Sequence, residues 1–246
     1  MTHTTTIALV TGANKGIGHA IAAALAERRM TVLVGARDIE RRNAAVRMLR
    51  AAGGDVHGIT LDVTAADIIA MAAEEIATRY GRLDVLVNNA GITGDERQIP
   101  GAGADVPAEV RRVFETNVFG LVAVTEAVLP LLLRSPGGRV VNVSGRGGSL
   151  TAMATPDGAF ADLPPLLGYP ASKAAVNAVT TQYAKHLRRN GILVNAVCPG
   201  HTATEGNGFT GDRTTRQAAA IAVRMATLGP DGPTGAFVDE NGPIPW

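Results

Sequence analysis

The sequence predicts an α/β fold: one doubly wound parallel sheet of about seven strands, of the Rossmann type, flanked by helices. Three observations carry this. Short apolar runs alternate with longer amphipathic stretches along the whole chain. The runs are apolar at consecutive positions, as strands covered on both faces are. A glycine-rich turn stands between the first run and the first helix. The chain has 246 residues, which suits a single domain spanning 1–246 better than two small ones.

Taken in order, Ile7–Val10 reads as the first strand and Gly16–Arg29 as the first helix. Thr31–Val34 is a strand, Ile39–Ala52 a helix, Val56–Leu61 a strand and Ala65–Tyr80 a helix. Leu83–Val87 is the fourth strand, and a long helix over Pro107–Leu133 leads to strand Arg139–Val143. A helix over Pro170–Arg189 precedes strand Ile192–Val197, and Ala236–Val238 forms a short last strand. Two stretches break the alternation: a long ordered loop from Ser144 to Gly168, and a Gly- and Pro-rich tail from Gly229 to Trp246.

Composition narrows the function classes. The 23 basic and 22 acidic residues are scattered and leave a net charge of +1, so nothing points to nucleic acid or a membrane surface. The most apolar helix candidate, Leu121–Leu133, is interrupted by Glu126 and Pro130, which argues against a membrane span. Met1–Thr6 is short and polar, with no signal-peptide pattern, so the expected location is cytoplasmic. Cys198 is alone and the five histidines lie far apart, so no metal site is expected.

The turn reads Thr11-Gly12-Ala13-Asn14-Lys15-Gly16-Ile17-Gly18 and opens directly into a helix. Glycines allow a tight turn and close approach to a pyrophosphate, which sits at the helix N-terminus. An NAD site places a carboxylate after the second strand to accept from the ribose 2′-hydroxyl. Here the sequence is Ala36-Arg37-Asp38, and Lys15 adds a second cation, so a 2′-phosphate and hence NADP(H) is favoured. Asp38 is read as a cap of the following helix. Asp62-Val63 closes the third strand, where an adenine would fit between a carboxylate and an apolar side chain. Asn88-Asn89-Ala90-Gly91 ends the fourth strand. All these sites fall at strand carboxyl ends, where open α/β sheets bind ligands.

Tyr169-Pro170-Ala171-Ser172-Lys173 is the most informative segment. Pro170 suits a helix start, and Lys173 lies four residues beyond Tyr169 on the same face. An ammonium beside a phenol favours the phenolate and lowers its pKa toward a working range.

With the glycine turn, Asn88–Gly91, Thr116-Asn117 and Pro199-Gly200-His201-Thr202-Ala203-Thr204, this chain resembles the short-chain dehydrogenase/reductase family over essentially its whole length. Asn14-Lys15-Gly16, Ala36-Arg37-Asp38 and the ending Phe237-Val238 with Trp246 make it similar to the NADPH-dependent carbonyl reductase branch. The resemblance implies an oxidoreductase in which Tyr169 protonates a ketone, aldehyde or quinone oxygen as hydride arrives. Lys173 would lower the tyrosine pKa and bind the nicotinamide ribose, and Asn117 would hold a proton-relay water. Thr204 would bind the carboxamide, with Pro199, Gly200 and Thr202 in the same loop; Asn89, Ala90 and Gly91 would line the adenosine side. Homo-oligomers, dimers or tetramers paired through the two long helices, are expected, with a monomer as the alternative because Ser144–Tyr169 is longer than usual.

One departure stands out. The family's substrate-binding serine, usually the second of a Ser-Ser pair after the fifth strand, is replaced by Gly145, and Ser144 stands one residue early. A missing oxyanion donor costs about 10²–10³ in rate. Either Ser144 takes over that role, or another donor such as Ser149 does, or the chain is an impaired, NADP-binding sensor. Reduction of an activated C=C bond is a further alternative. A serine hydrolase is remote, since Gly147-Gly148-Ser149-Leu150-Thr151 lacks the last glycine of the nucleophile elbow. The substrate pocket is expected from 144–168, Thr93–Ala104 and Glu205–Asp212, which favours a small or apolar carbonyl compound.

Overall fold

The computed structural model describes residues 5–101, 103, 105–158 and 160–246. Most of the polar N-terminal stretch, and Ala102, Ala104 and Ala159 in the expected substrate-side segments, therefore lie outside the described residues. Eight strands form one sheet in the order β3-β2-β1-β4-β5-β6-β7-β8. They are β1 (Ile7–Thr11), β2 (Thr31–Ala36), β3 (Val56–Thr60), β4 (Val85–Asn88), β5 (Arg139–Val143), β6 (Leu193–Val197), β7 (Phe237–Asp239) and β8 (Gly242–Pro243). All neighbours pair in parallel except β7 and β8. The two-residue antiparallel β8 is the strand that the expected seven did not include: Gly242, at φ 128, turns the chain back beside β7.

The sheet is doubly wound because alternate side chains in each strand leave by opposite faces. Ala8 and Val10 of β1 join Val32, Val34, Val87 and Val141 in one core, under α1 (Gly16–Ala26). Leu9, Leu33, Leu86, Val140 and Val194 fill the other. That second layer is closed by α3 (Ala66–Tyr80), α5 (Gly120–Leu132) and α7 (Tyr169–Leu187). The helix α2 (Ile39–Ala51) contributes Val46 and Leu49 to the first core.

Four features differ from expectation. The first helix stops at Ala26, and Arg29 turns left-handed with φ 62. The long helix is α4 (Val106–Phe114) joined to α5 through a π-helical turn, Glu115–Phe119. The joined rod Val106–Leu132 has the length and apolarity of a membrane span, but half of its apolar window is buried, and it packs on α3 and α7 as a core helix. The 144–168 stretch is not wholly irregular, since it holds a 3₁₀ turn at Arg146–Gly148 and the short helix α6 (Leu150–Met153). Finally, a helix absent from the expected series, α8 (Thr215–Ala226), packs its alanine face against α1. Its signal was legible as the capping pair Thr214 and Gln217.

Candidate active site

The turn after β1 is built around backbone that only glycine adopts readily. Gly12 and Gly16 have φ of 64 and 59. A Cβ on Gly18 would lie 2.4 Å from Asn89 Nδ2 and 2.6 Å from the Gly12 carbonyl. Asn89 donates from Nδ2 to the carbonyls of Thr11 (2.9 Å) and Gly12 (3.3 Å), while Asn89 and Ala90 N–H both donate to Thr11 Oγ1. Asn89 thus braces the turn against the end of β4, and Thr11, a residue the sequence did not single out, is its partner. The turn delivers α1, around Ile17, with no capping side chain and no acidic residue in its first turn. Its leading N–H groups fit a phosphate.

At the end of β2, Ala36 is buried and Arg37 exposed, and Asp38 caps α2 by accepting from Arg41 N–H at 3.0 Å, as expected. Lys15 Nζ lies 2.9 Å from Glu205 Oε2, so this cation already carries a carboxylate partner. Asp62 turns its carboxylate to its own loop, accepting from Thr64 N–H and Oγ1 at 3.0 and 2.8 Å. Val63 packs against Gly120. The loop after β6 passes over the glycine turn: a Cβ on Gly16 would lie 3.7 Å from Thr204 Cγ2. Within it Gly200 has φ 78, and the buried Thr202 donates to the Gly200 carbonyl at 3.1 Å. Pro199 begins this loop directly after β6 and Cys198.

Tyr169 opens α7 and Lys173 follows one turn later. Lys173 Nζ lies 5.6 Å from the Tyr169 ring centroid and donates to the Val143 carbonyl at 2.8 Å. Burial pushes the Tyr169 phenol up to about 12 and the Lys173 ammonium down to about 8. Desolvation sets the direction for the phenol, the reverse of the lowering expected from the sequence. A third group joins them through the π turn: Asn117 accepts from Ile92 N–H at 2.8 Å and donates to the Ile92 carbonyl (2.9 Å) and to Ser172 Oγ (3.0 Å). A Cβ on Gly91 would lie 3.2 Å from Asn117 Oδ1 and 3.6 Å from Lys173 Nζ, so these three positions meet. π turns inside α-helices are frequent at functional sites.

The serine positions resolve differently from expectation. A Cβ on Gly145 would lie 3.3 Å from the Tyr169 hydroxyl, so position 145 is the one aimed at the phenol. Ser144 is buried, and its hydroxyl donates to the Lys173 backbone carbonyl at 3.3 Å. Its expected role at the substrate oxygen finds no support here, because successive residues of an extended chain point to opposite sides. Ser149 is committed too: it donates to the Pro245 carbonyl at 2.6 Å and caps α6 through Ala152 N–H. The turn between them matters to Lys173, since a Cβ on Gly148 would lie 2.6 Å from the Lys173 carbonyl carbon.

Residues 6–214 match the family model described as short chain dehydrogenase. The chain belongs to the short-chain dehydrogenase family. It is 34% identical over 241 residues to the short-chain dehydrogenase anuI of Penicillium roqueforti, covering 96% of this chain and 94% of that protein. It is 36% identical over 203 residues to a 3-oxoacyl-[acyl-carrier-protein] reductase of Synechocystis, covering 82% and 76% respectively. Among solved structures, NADPH-bound carbonyl reductase from chicken fatty liver superposes with TM-score 0.85 at 25% identity, over 98% of this chain and 99% of that one. The short-chain dehydrogenase fold accounts for the sheet order, with its direction reversing between β1 and β4 beside the glycine turn. Membership makes the chain an oxidoreductase that uses a nicotinamide cofactor.

Proposed function

We propose that this short-chain dehydrogenase reduces the carbonyl group of a small or apolar ketone, aldehyde or quinone, with NADP(H) as cofactor. The observation that carries the reading is Tyr169 at the entrance of α7 with Lys173 Nζ 5.6 Å from its ring. The NADPH-bound carbonyl reductase and the ketoacyl reductase relative support the same chemistry. The cofactor, when bound, supplies hydride. The chain supplies the rest. Tyr169 Oη, kept neutral by its burial, holds the proton for the substrate oxygen. Lys173 keeps a positive charge beneath it and is oriented by the Val143 carbonyl. Asn117 fixes the segment after β4 through both ends of its amide, Oδ1 accepting from Ile92 N–H and Nδ2 donating to the Ile92 carbonyl, which sets Gly91 against Lys173. Gly12, Asn14, Lys15, Gly16, Ile17 and Gly18 would hold the pyrophosphate side, Arg37 and Lys15 a 2′-phosphate, and Asp62 and Val63 the adenine. Asn89, Ala90 and Gly91 would flank the adenosine, and Pro199, Gly200, Thr202 and Thr204 the carboxamide.

Gly145 favours a second reading, reduction of an activated C=C bond, because the position facing the Tyr169 hydroxyl carries no side chain and the Ser144 hydroxyl bonds the Lys173 backbone instead. Following NADPH oxidation over aldehydes, ketones, quinones and enones, with products assigned by NMR, tests both. Alcohols from ketones support the first reading, and saturated ketones from enones the second. No oxidation with any acceptor would leave a binding protein without turnover.

A further inference from the structure

The helix that presents Tyr169 has no cap of its own. Gly168 at its N-terminus offers no side chain, and its first turn contains Pro170 and no acidic residue. The open N–H groups of Gly168 and Tyr169 are instead met from 70 residues away: both donate to Gln98 Oε1, at 3.1 and 2.8 Å. Gln98 is 1% exposed. The other end of its amide donates to the carbonyls of Thr93 and Asp95, at 2.8 and 2.9 Å, and its own backbone carbonyl accepts from Leu167 N–H at 3.0 Å. Two donors at one end and two acceptors at the other determine the amide's orientation, since a flip would oppose like groups. Glycines on both sides make the room. A Cβ on Gly168 would lie 2.9 Å from Gln98 Oε1, and one on Gly94 2.6 Å from Nε2. The far side is anchored in turn: Glu109, also buried, accepts from Asp95 N–H and pairs with Arg97 and Arg112.

We propose that Gln98 is a positioning residue that caps the catalytic helix and ties the substrate-side segment Thr93–Gln98 to Tyr169. The inference rests on the proposed function for the role of Tyr169. One amide thereby joins the proton donor to a segment expected to line the substrate, so the acceptor half and the donor half of Gln98 should fail in different ways. Gln98→Leu removes both. Gln98→Glu keeps an oxygen for the two N–H groups, where a helix N-terminus favours negative charge, but sets its second oxygen against the Thr93 and Asp95 carbonyls.

Two measurements on the full chain test this. Amide hydrogen exchange at Gly168 and Tyr169 should speed up about tenfold or more in Gln98→Leu and stay near the parent rate in Gln98→Glu. With NADPH and 9,10-phenanthrenequinone as probe, Gln98→Leu should lose about tenfold in kcat while NADPH Kd stays within about twofold. Gln98→Glu should retain kcat within about threefold and raise KM about fivefold, the split that a merely structural residue would not produce. Unchanged exchange in Gln98→Leu overturns the cap, and equal kcat losses in both variants overturn the positioning role. A parent enzyme inactive with the quinone and with the other acceptors counts against the proposed function, while the exchange measurement still judges Gln98.

Discussion

Gly145 faces the Tyr169 hydroxyl: a Cβ there would sit 3.3 Å from the phenolic oxygen, while the hydroxyl of neighbouring Ser144 turns to the Lys173 backbone. The hydroxyls of Ser144 and Ser149 are both committed to backbone carbonyls, and neither is turned to the position that Gly145 leaves beside the phenol. Gly145 lies in extended backbone, φ −170 and ψ 157, which any residue adopts. Gly145→Ser should accordingly fold and restore a donor, raising kcat on a small ketone about tenfold or more, within the 10²–10³ that such donors contribute. NADPH affinity should not move. Steady-state kinetics on the purified variant decide, and an unchanged kcat would mean that the missing donor is already replaced.

The neighbouring serines should separate structure from chemistry. Ser144→Ala is expected to cost less than about threefold in kcat, since its hydroxyl is spent on a backbone carbonyl. Ser149→Ala removes the cap of α6 and should destabilise the chain by about 1 kcal/mol in urea unfolding, with kcat retained. Tyr169→Phe should lose about 10²–10⁴ in rate. A fully active Tyr169→Phe enzyme would remove the mechanism altogether.

Reduction should weaken in alkali because of Lys173. Burial lowers its ammonium to about 8 and raises Tyr169 to about 12, so as pH rises Lys173 loses its charge first while Tyr169 keeps its proton. The expected profile of kcat/KM is flat below about pH 7 and falls about tenfold per pH unit above about 8. Lys173→Arg should move that limb upward, as a guanidinium does not deprotonate in this range. A limb that stays in place in Lys173→Arg would assign it to another group.

Cofactor choice should follow the end of β2. NADPH is expected to bind at least about tenfold more tightly than NADH, by fluorescence titration, and Ala36→Asp with Arg37→Ile should reverse that order. Glu205→Gln frees Lys15 from its 2.9 Å partner and should tighten NADPH about twofold to threefold, a small gain because the pair is exposed. Equal NADPH and NADH affinities in the parent would refute the argument from Ala36, Arg37 and Lys15.

Assembly is open to a direct test. Light scattering should give twice or four times the mass of one chain, through the faces of α4–α5 and α7. A mass equal to one chain would instead assign those faces to the monomer, with 144–168 as the covering segment.

The alternation of buried strands and helices was legible because each strand needs apolar residues on both faces, and that requirement is written locally at Ile7–Val10, Thr31–Val34 and Arg139–Val143. The glycine turn and the Tyr169–Lys173 pair were legible for the same reason: positive φ at Gly12 and Gly16, and one helical turn between two side chains, are short-range constraints. Other features depended on contacts between distant segments. The alanine-rich α8 buries Ala218, Ala219, Ile221 and Ala222 by packing on α1, a partner nearly 200 residues away in the chain. Whether Ser144 or Gly145 looks at Tyr169 depends on the one-residue phase in which β5 ends, which flips the side chain. Gln98 was silent in the sequence, a polar residue in a polar loop, because its partners lie 70 residues away at Gly168 and 71 at Tyr169. Local physics wrote the strands, the glycine turn and the one-turn spacing of Tyr169 and Lys173 into the sequence; burial and long-range hydrogen bonding decided which hydroxyl turns to the Lys173 backbone and which amide caps α7.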